Sequence, residues 1–244
     1  MAFEKEIIEK IDKYCMRDLP DNDWYNKEFN FIKDNELKER IITEFKNVRY
    51  IYKFFEGISA ENELLLAEVR LQILMYASIY EAIIHYVLFD EYYKETDNVK
   101  ALLTQKVTKK ISISEEQRAK LGKELEHDGK DIIPYYMTTQ KRDITKIRFD
   151  EKCKVAFDIG ILEEIIEQRT TPSPIVNSAD CDGMVTFCAE LIKIYEIRNA
   201  IHLHAELKKD IAYHIEMSKI AYYRMQPFIA QIKKKLEADG LFRG

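Results

Sequence analysis

Glycine and proline are scarce in this chain, at seven and five of 244 residues, and cysteine is scarcer still at four. Folds built from many tight turns need far more of the first two, so an all-β sandwich or barrel and a Rossmann-type sheet are poor fits. No glycine-rich phosphate loop is present; the best pair, Gly240 and Gly244, lies at the C-terminal end. Cys15, Cys153, Cys181 and Cys188 are scattered without a C-x-x-C pair. That spacing argues against a disulfide framework and against a zinc site, and leaves reduced thiols in or near a core. The first residues, Met1-Ala2-Phe3-Glu4-Lys5-Glu6, lack the basic start and apolar run of a secretory signal. The expectation is a cytoplasmic protein with no metal and no organic cofactor.

Charge and apolar bulk fill the chain instead. Charged residues make up 33% of it and hydrophobic ones 46%, with Glu and Lys recurring at helical spacing, which predicts a mainly α fold with an ample core. The net charge of −5 counts against a nucleic-acid partner, yet it conceals an asymmetry. Between Lys100 and Lys154 stand 14 Lys and Arg against 9 Asp and Glu, a net +5 that leaves −10 on the rest. Such a segment either lines a phosphate groove or is a solvated insertion.

The apolar pattern predicts a helix over 4–15, with Phe3, Ile7, Ile8, Ile11 and Tyr14 on one side and Pro20-Asp21 closing it. A second helix is expected over 35–55, stopped by Gly57, and a third over 59–93, capped by Ser59 or Asn62. Within the third, 71–89 is almost wholly apolar. Gln72, Ser78, Glu81 and His85 interrupt it, and a carboxylate at mid-membrane is costly, so no membrane span is expected. At about 100° per residue Ser78, Glu81 and His85 form one stripe, which is either a solvent edge or the lining of a polar cleft.

Between 97 and 180 the pattern breaks. Helical pieces are expected at 99–109 and 114–126, the latter with Ser114, Glu116 and Gln117 as capping-box residues. The segments 132–138 and 147–157 look β-like, able to pair as a small hairpin across the charged run 140–143, and 158–169 looks helical. Thr170-Thr171-Pro172-Ser173-Pro174 forces a loop. The region reads as an insertion into a single helical domain spanning 1–244. Helices return at 181–204 and 208–238, with Gly240 as the final stop.

One cluster is chemically equipped: Arg198-Asn199-Ala200-Ile201-His202-Leu203-His204, on the last turns of a helix. It resembles the signature of the HEPN superfamily, helical-bundle proteins marked by an arginine, a polar residue and a histidine after four to six intervening positions. His204 meets that spacing, with five between; His202, with three, falls short. Straight-helix projection instead places Arg198 and His202 on the side of Met184, Cys188, Leu191 and Tyr195, with His204 nearly opposite. His204 is therefore taken as the catalytic histidine and His202 as its rival. The plain structural reading has Arg198 snorkelling or paired with Glu81, and the histidines capping helix carbonyls.

The resemblance implies a metal-independent endoribonuclease of the toxin or anti-phage defence kind, with RNA as substrate and a homodimer whose two motifs face a shared cleft. It also implies an antitoxin or regulatory partner as a class. Arg198 would stabilise the phosphorane, His204 or His202 would move protons, Asn199 would orient phosphate or water, and Glu81 would steer the motif from the central helix. The alternative is a non-catalytic bundle of the same type that binds nucleotide, RNA or a partner protein. Toxin members of the superfamily often carry a tyrosine two residues after the histidine; Glu206 stands there, so modification at that place is not implied.

Overall fold

The computed structural model describes residues 3–126, 132–163, 187–201 and 213–243. The chain divides into two compact units, Met1–Lys94 with Arg148–Gly244, and Glu95–Ile147. The protein is mainly helical, as its composition requires.

In the larger unit, α1 (Lys5–Met16) is followed by α2 (Asn22–Glu28), α3 (Asn35–Gly57) and α4 (Asn62–His85). The short α2 was not expected from the pattern. Asp21 does not close α1; its carboxylate accepts from Trp24 N at 2.8 Å and starts the next helix. Asp34 caps α3 in the same way, accepting from Leu37 N at 3.1 Å. Gly57 is the last residue of α3 and not a left-handed cap. A Cβ there would stand 2.9 Å from the Tyr14 ring, so glycine is required for α1 to approach α3. The positive φ falls instead on Ser59 and Asn62, at 52° and 51°, and neither caps α4, whose N-cap is Glu61.

The central helix α4 packs against α3 and against two C-terminal helices. Val69, Ile73, Ala77, Ile83 and Ile84 are each at most 1% exposed. Each large aliphatic among them is worth about 1.5–3 kcal/mol on burial, enough to carry the buried polar pair Glu68 and Gln72 on the same helix. The stretch Asn62–Asp90 is long and apolar enough to cross a membrane, but of its most apolar 18-residue window, with mean hydropathy 1.3, 61% is buried inside the protein. The helix does not run on to residue 93. After His85 it widens into a π turn, Tyr86–Asp90, with Glu91 N bonded to Tyr86 O.

The smaller unit holds α5 (Asp97–Leu102), β1 (Thr104–Lys110), α6 (Glu115–Glu124) and β2 (Tyr135–Lys141). The helix expected over 99–109 thus ends at Leu102. Beyond it Thr104, Val107 and Thr108 favour extended backbone, and β1 pairs antiparallel with β2 from Thr104↔Lys141 to Lys110↔Tyr135. α6 starts in the expected capping box, Gln117 N donating to Ser114 Oγ and Ser114 N to Gln117 Oε1.

The second half of the expected hairpin, 147–157, is a helix. In α7 (Phe149–Asp158) the buried Phe149, Lys152, Cys153 and Ala156 recur at spacings of three, one and three, a helical face, and the helix packs in the larger unit. Glu151 Oε2 accepts from Arg148 N at 3.0 Å and fixes its start. Residues 159–163 form a turn rather than continuing a helix; 164–169 lie outside the described residues.

Then come α8 (Phe187–Ala200), α9 (Ile215–Tyr223) and α10 (Met225–Ala238). The single final helix expected is broken at Arg224, because Pro227 has no N–H to donate to the Tyr223 carbonyl four residues earlier. Tyr80 of α4 donates to Ala221 O at 2.6 Å and packs edge-on against Phe228, its ring centroid 5.0 Å away, tying α9 and α10 to the core.

Candidate functional site

The motif helix ends sooner than a straight extrapolation predicts. α8 stops at Ala200, where Ile201 N closes a last tight turn on Arg198 O at 3.4 Å. His202 and His204 lie outside the described residues. The projection that favoured His202 assumed a helix continuing to 204, so it no longer ranks the two.

Arg198 and Asn199 are at this helix end, half-buried and exposed respectively, over the buried Leu191, Ile194 and Ile197 that hold α8 in the bundle. The guanidinium lies over the Tyr195 ring at 5.1 Å and donates to Asn199 Oδ1 at 2.9 Å and to the Tyr195 hydroxyl at 3.4 Å. All these partners are neutral. Among the described residues no carboxylate pairs with Arg198, so the ion pair with Glu81 that a plain structural reading allows does not form.

Glu81 is nevertheless linked to the motif. Burial and then the nearby Glu81 carboxylate push the Tyr195 phenol's pKa up, which keeps it protonated. Glu81 therefore reaches Arg198 through Tyr195 and does not touch it. On the other side Glu81 Oε1 receives Lys152 Nζ at 3.3 Å. Lys152 Nζ lies 3.5 Å from His85 Nδ1, and His85 Nε2 is 3.9 Å from Asp90 Oδ1. Burial, then the Lys152 charge, pulls the His85 pKa below its ordinary value, so at neutral pH the imidazole is uncharged and its Nδ1 can accept from the ammonium.

The Ser78, Glu81 and His85 stripe is accordingly divided. Ser78 is exposed and donates to Leu74 O at 2.8 Å, whereas Glu81 and His85 are covered by α7. Helix α7 does two jobs here: Lys152, only 5% exposed at its side chain, engages Glu81 and His85, and Phe149 stacks on Tyr195 with ring centroids 4.5 Å apart. Sequence reasoning missed Lys152 and Phe149 because it placed both on a strand. The signal that finds them is the three-one-three apolar spacing of 149–156. Next to them, the neighbouring Cys153 thiol holds the Cys188 pKa down, while burial drives that of Cys153 up.

The ribbon of the smaller unit is a second feature with a chemical bias. Alternation along paired strands puts Lys106 and Lys110 of β1 on one face with Tyr135, Met137 and Lys141 of β2, all exposed. Among the described residues none of these three lysines has a carboxylate partner. Cations interleaved with a flat ring suit a single-stranded phosphate chain and its bases. The ribbon lies within the basic stretch.

Among the described residues no three His, Cys, Asp or Glu side chains converge as a metal-ligand set. No protein-family model, curated protein or solved structure matches this chain.

Proposed function

We propose that this chain is a metal-independent endoribonuclease of the HEPN type, active as a cytoplasmic homodimer in toxin or anti-phage defence. The observation that carries the reading is Arg198: a guanidinium at a helix end, held by a tyrosine ring, a phenol and an amide, with its charge left uncompensated by the carboxylates described. Lys152 supports this arrangement, since by engaging Glu81 it leaves Arg198 available to a phosphate.

In the proposed reaction a base removes the proton of the RNA 2′-hydroxyl, whose oxygen attacks the adjacent phosphorus. The P–O5′ bond breaks, and an acid protonates the leaving 5′-oxygen. Arg198 binds two oxygens of the pentacoordinate phosphorane, and His204, with His202 as rival, moves a proton at a contribution of about 10²- to 10⁴-fold. Asn199 positions Arg198 through its amide oxygen, and Glu81 does so at one remove by fixing the Tyr195 hydroxyl. The second proton-transfer group comes from the partner subunit's copy of the motif. An antitoxin or other regulatory partner would restrain such an activity.

Cleavage of a single-stranded or loop RNA should persist in EDTA, because base, acid and positive charge are all side chains. The products should carry a 2′,3′-cyclic phosphate, and DNA should resist for want of the 2′-hydroxyl. Activity abolished by EDTA and restored by magnesium would falsify the mechanism. A second reading, a non-catalytic bundle binding RNA, nucleotide or a partner, draws on the same neutral cradle around Arg198, which would serve an anion anchor as well. RNA retained without cleavage by the wild-type protein, and released by Arg198→Ala, selects that reading.

A further inference from the structure

Arg49 of α3 is a second arginine without a carboxylate among the described residues. Half-buried, its guanidinium lies 4.4 Å from the Tyr222 ring centroid and 5.7 Å from that of Tyr52. Two tyrosine hydroxyls in its field lack partners as well. Tyr25 and Tyr76 are 0% and 1% exposed, and the charge of Arg49 acts on both phenols. The Tyr25 hydroxyl is enclosed with no hydrogen bond at all. Tyr76 makes none among the described residues and lines a cavity of about 70 Å³ together with Arg49, Gln72, Ser218, Lys219 and Tyr222. A half-buried guanidinium held only by aromatic rings, beside a tyrosine hydroxyl open to the same cavity, keeps its hydrogen-bonding capacity for a ligand.

The cavity has room for about two waters, each taking about 30 Å³, or for one tetrahedral oxyanion. Two carboxylates stand at its rim: Glu216 holds Lys219 at 2.8 Å, and Glu56 accepts from the Tyr52 hydroxyl at 3.2 Å. Neither pairs with Arg49. The buried Glu68 carboxylate receives the Gln72 amide at 2.7 Å, and burial raises its pKa. Ser218 donates to Ile215 O at 2.9 Å and contributes wall rather than a donor.

We propose that this cavity between α3, α4 and α9 binds a phosphate-sized oxyanion, either free phosphate or the phosphate of a small monoester. Arg49 grips two of its oxygens, Lys219 meets a third, and the Tyr76 hydroxyl donates from the floor. The surrounding tyrosine rings exclude water and so strengthen each contact. This site is separate from Arg198 and does not depend on RNA cleavage.

The test is calorimetric titration of the full Arg198→Ala chain, in which the other proposed phosphate site is removed, with inorganic phosphate, a nucleoside monophosphate and the unphosphorylated nucleoside. One saturable site should take the first two and not the third. Tighter monophosphate binding identifies a phosphorylated small molecule as the ligand, and equal affinity identifies phosphate alone; either result supports the site. Arg49→Met should weaken binding by about tenfold or more and Tyr76→Phe by about threefold, while Arg40→Met, exposed on the same helix, should change nothing. Absence of saturable binding to both phosphates overturns the proposal, as does unchanged affinity in Arg49→Met. If that variant fails to fold by circular dichroism, unchanged affinity in both Tyr76→Phe and Lys219→Met overturns it instead.

Discussion

Two arginines, Arg198 on the last turn of the motif helix and Arg224 bound to Glu190 in its first turn, show how surroundings decide a residue's part. Arg224 is bound to Glu190, with side chains only 10% and 2% exposed, and it stands at the break between α9 and α10. Removing either member leaves a desolvated charge, a loss of about 3–5 kcal/mol. Arg198 has neutral partners and remains half-buried, so its loss uncovers nothing buried and charged. Urea unfolding should therefore show Glu190→Ala destabilised by about 3–5 kcal/mol and Arg198→Ala by less than about 1 kcal/mol. Ribonuclease activity should follow the reverse order, retained in whatever Glu190→Ala remains folded and absent in Arg198→Ala. An Arg198→Ala chain as unstable as Glu190→Ala would make Arg198 a structural residue.

At the scale of elements, periodicity was legible even where burial is slight, since α1 shows an apolar side although Ile7 and Ile8 are 42% and 41% exposed and only Cys15 is buried. α1, α3, α4 and α10 could be read from their apolar spacing, and α6 from its capping box. What misled was local. Val99 to Lys109 mixes three and two spacings, and the strand won because β2, some thirty residues away, supplies its hydrogen bonds. Ile147 to Phe157 is short, and Ile147, Phe149, Val155 and Phe157 all stand at odd positions, an alternation that mimics a strand, so Lys152 stayed hidden although Glu81 and His85, its partners, were visible as a stripe. The candidate site was thus half legible: Arg198, Asn199 and Glu81 from type and spacing, but not the Tyr195, Phe149 and Lys152 contacts that join them.

The end of α8 at Ala200 has its own consequence. With the straight-helix projection no longer applicable beyond Ala200, the spacing that resembles the superfamily favours His204. His204→Ala should abolish cleavage with little loss of RNA binding, whereas His202→Ala should keep a measurable rate, because a proton-transfer group acts in the transition state and not in the ground state. Single-turnover cleavage and filter binding check this; a dead His202→Ala beside an active His204→Ala reverses the assignment.

For the whole molecule the governing count is of chemical groups. One motif supplies one arginine and one histidine of the required spacing, yet transesterification needs both a proton acceptor and a proton donor. His85 does not make up the deficit in this scheme, since it is turned to Lys152 and Asp90. In the proposed scheme two motifs related by a twofold axis would supply the pair, which would make activity a property of the dimer. An Arg198→Ala chain is expected to fold and to pair with wild type. Mixed in excess and allowed to exchange, it should place most wild-type chains in heterodimers that hold a single arginine and should reduce activity well below the wild-type fraction. Added at equal amounts under random pairing, it would leave about a quarter of the dimers fully intact. Cleavage rates across a mixing series, with sedimentation to fix the oligomeric state, read this directly: a quadratic dependence on the wild-type fraction supports the composite site. Strict proportionality, or an active monomer, would mean that each chain carries a complete site of its own, and the second proton-transfer group would then have to be sought within the chain.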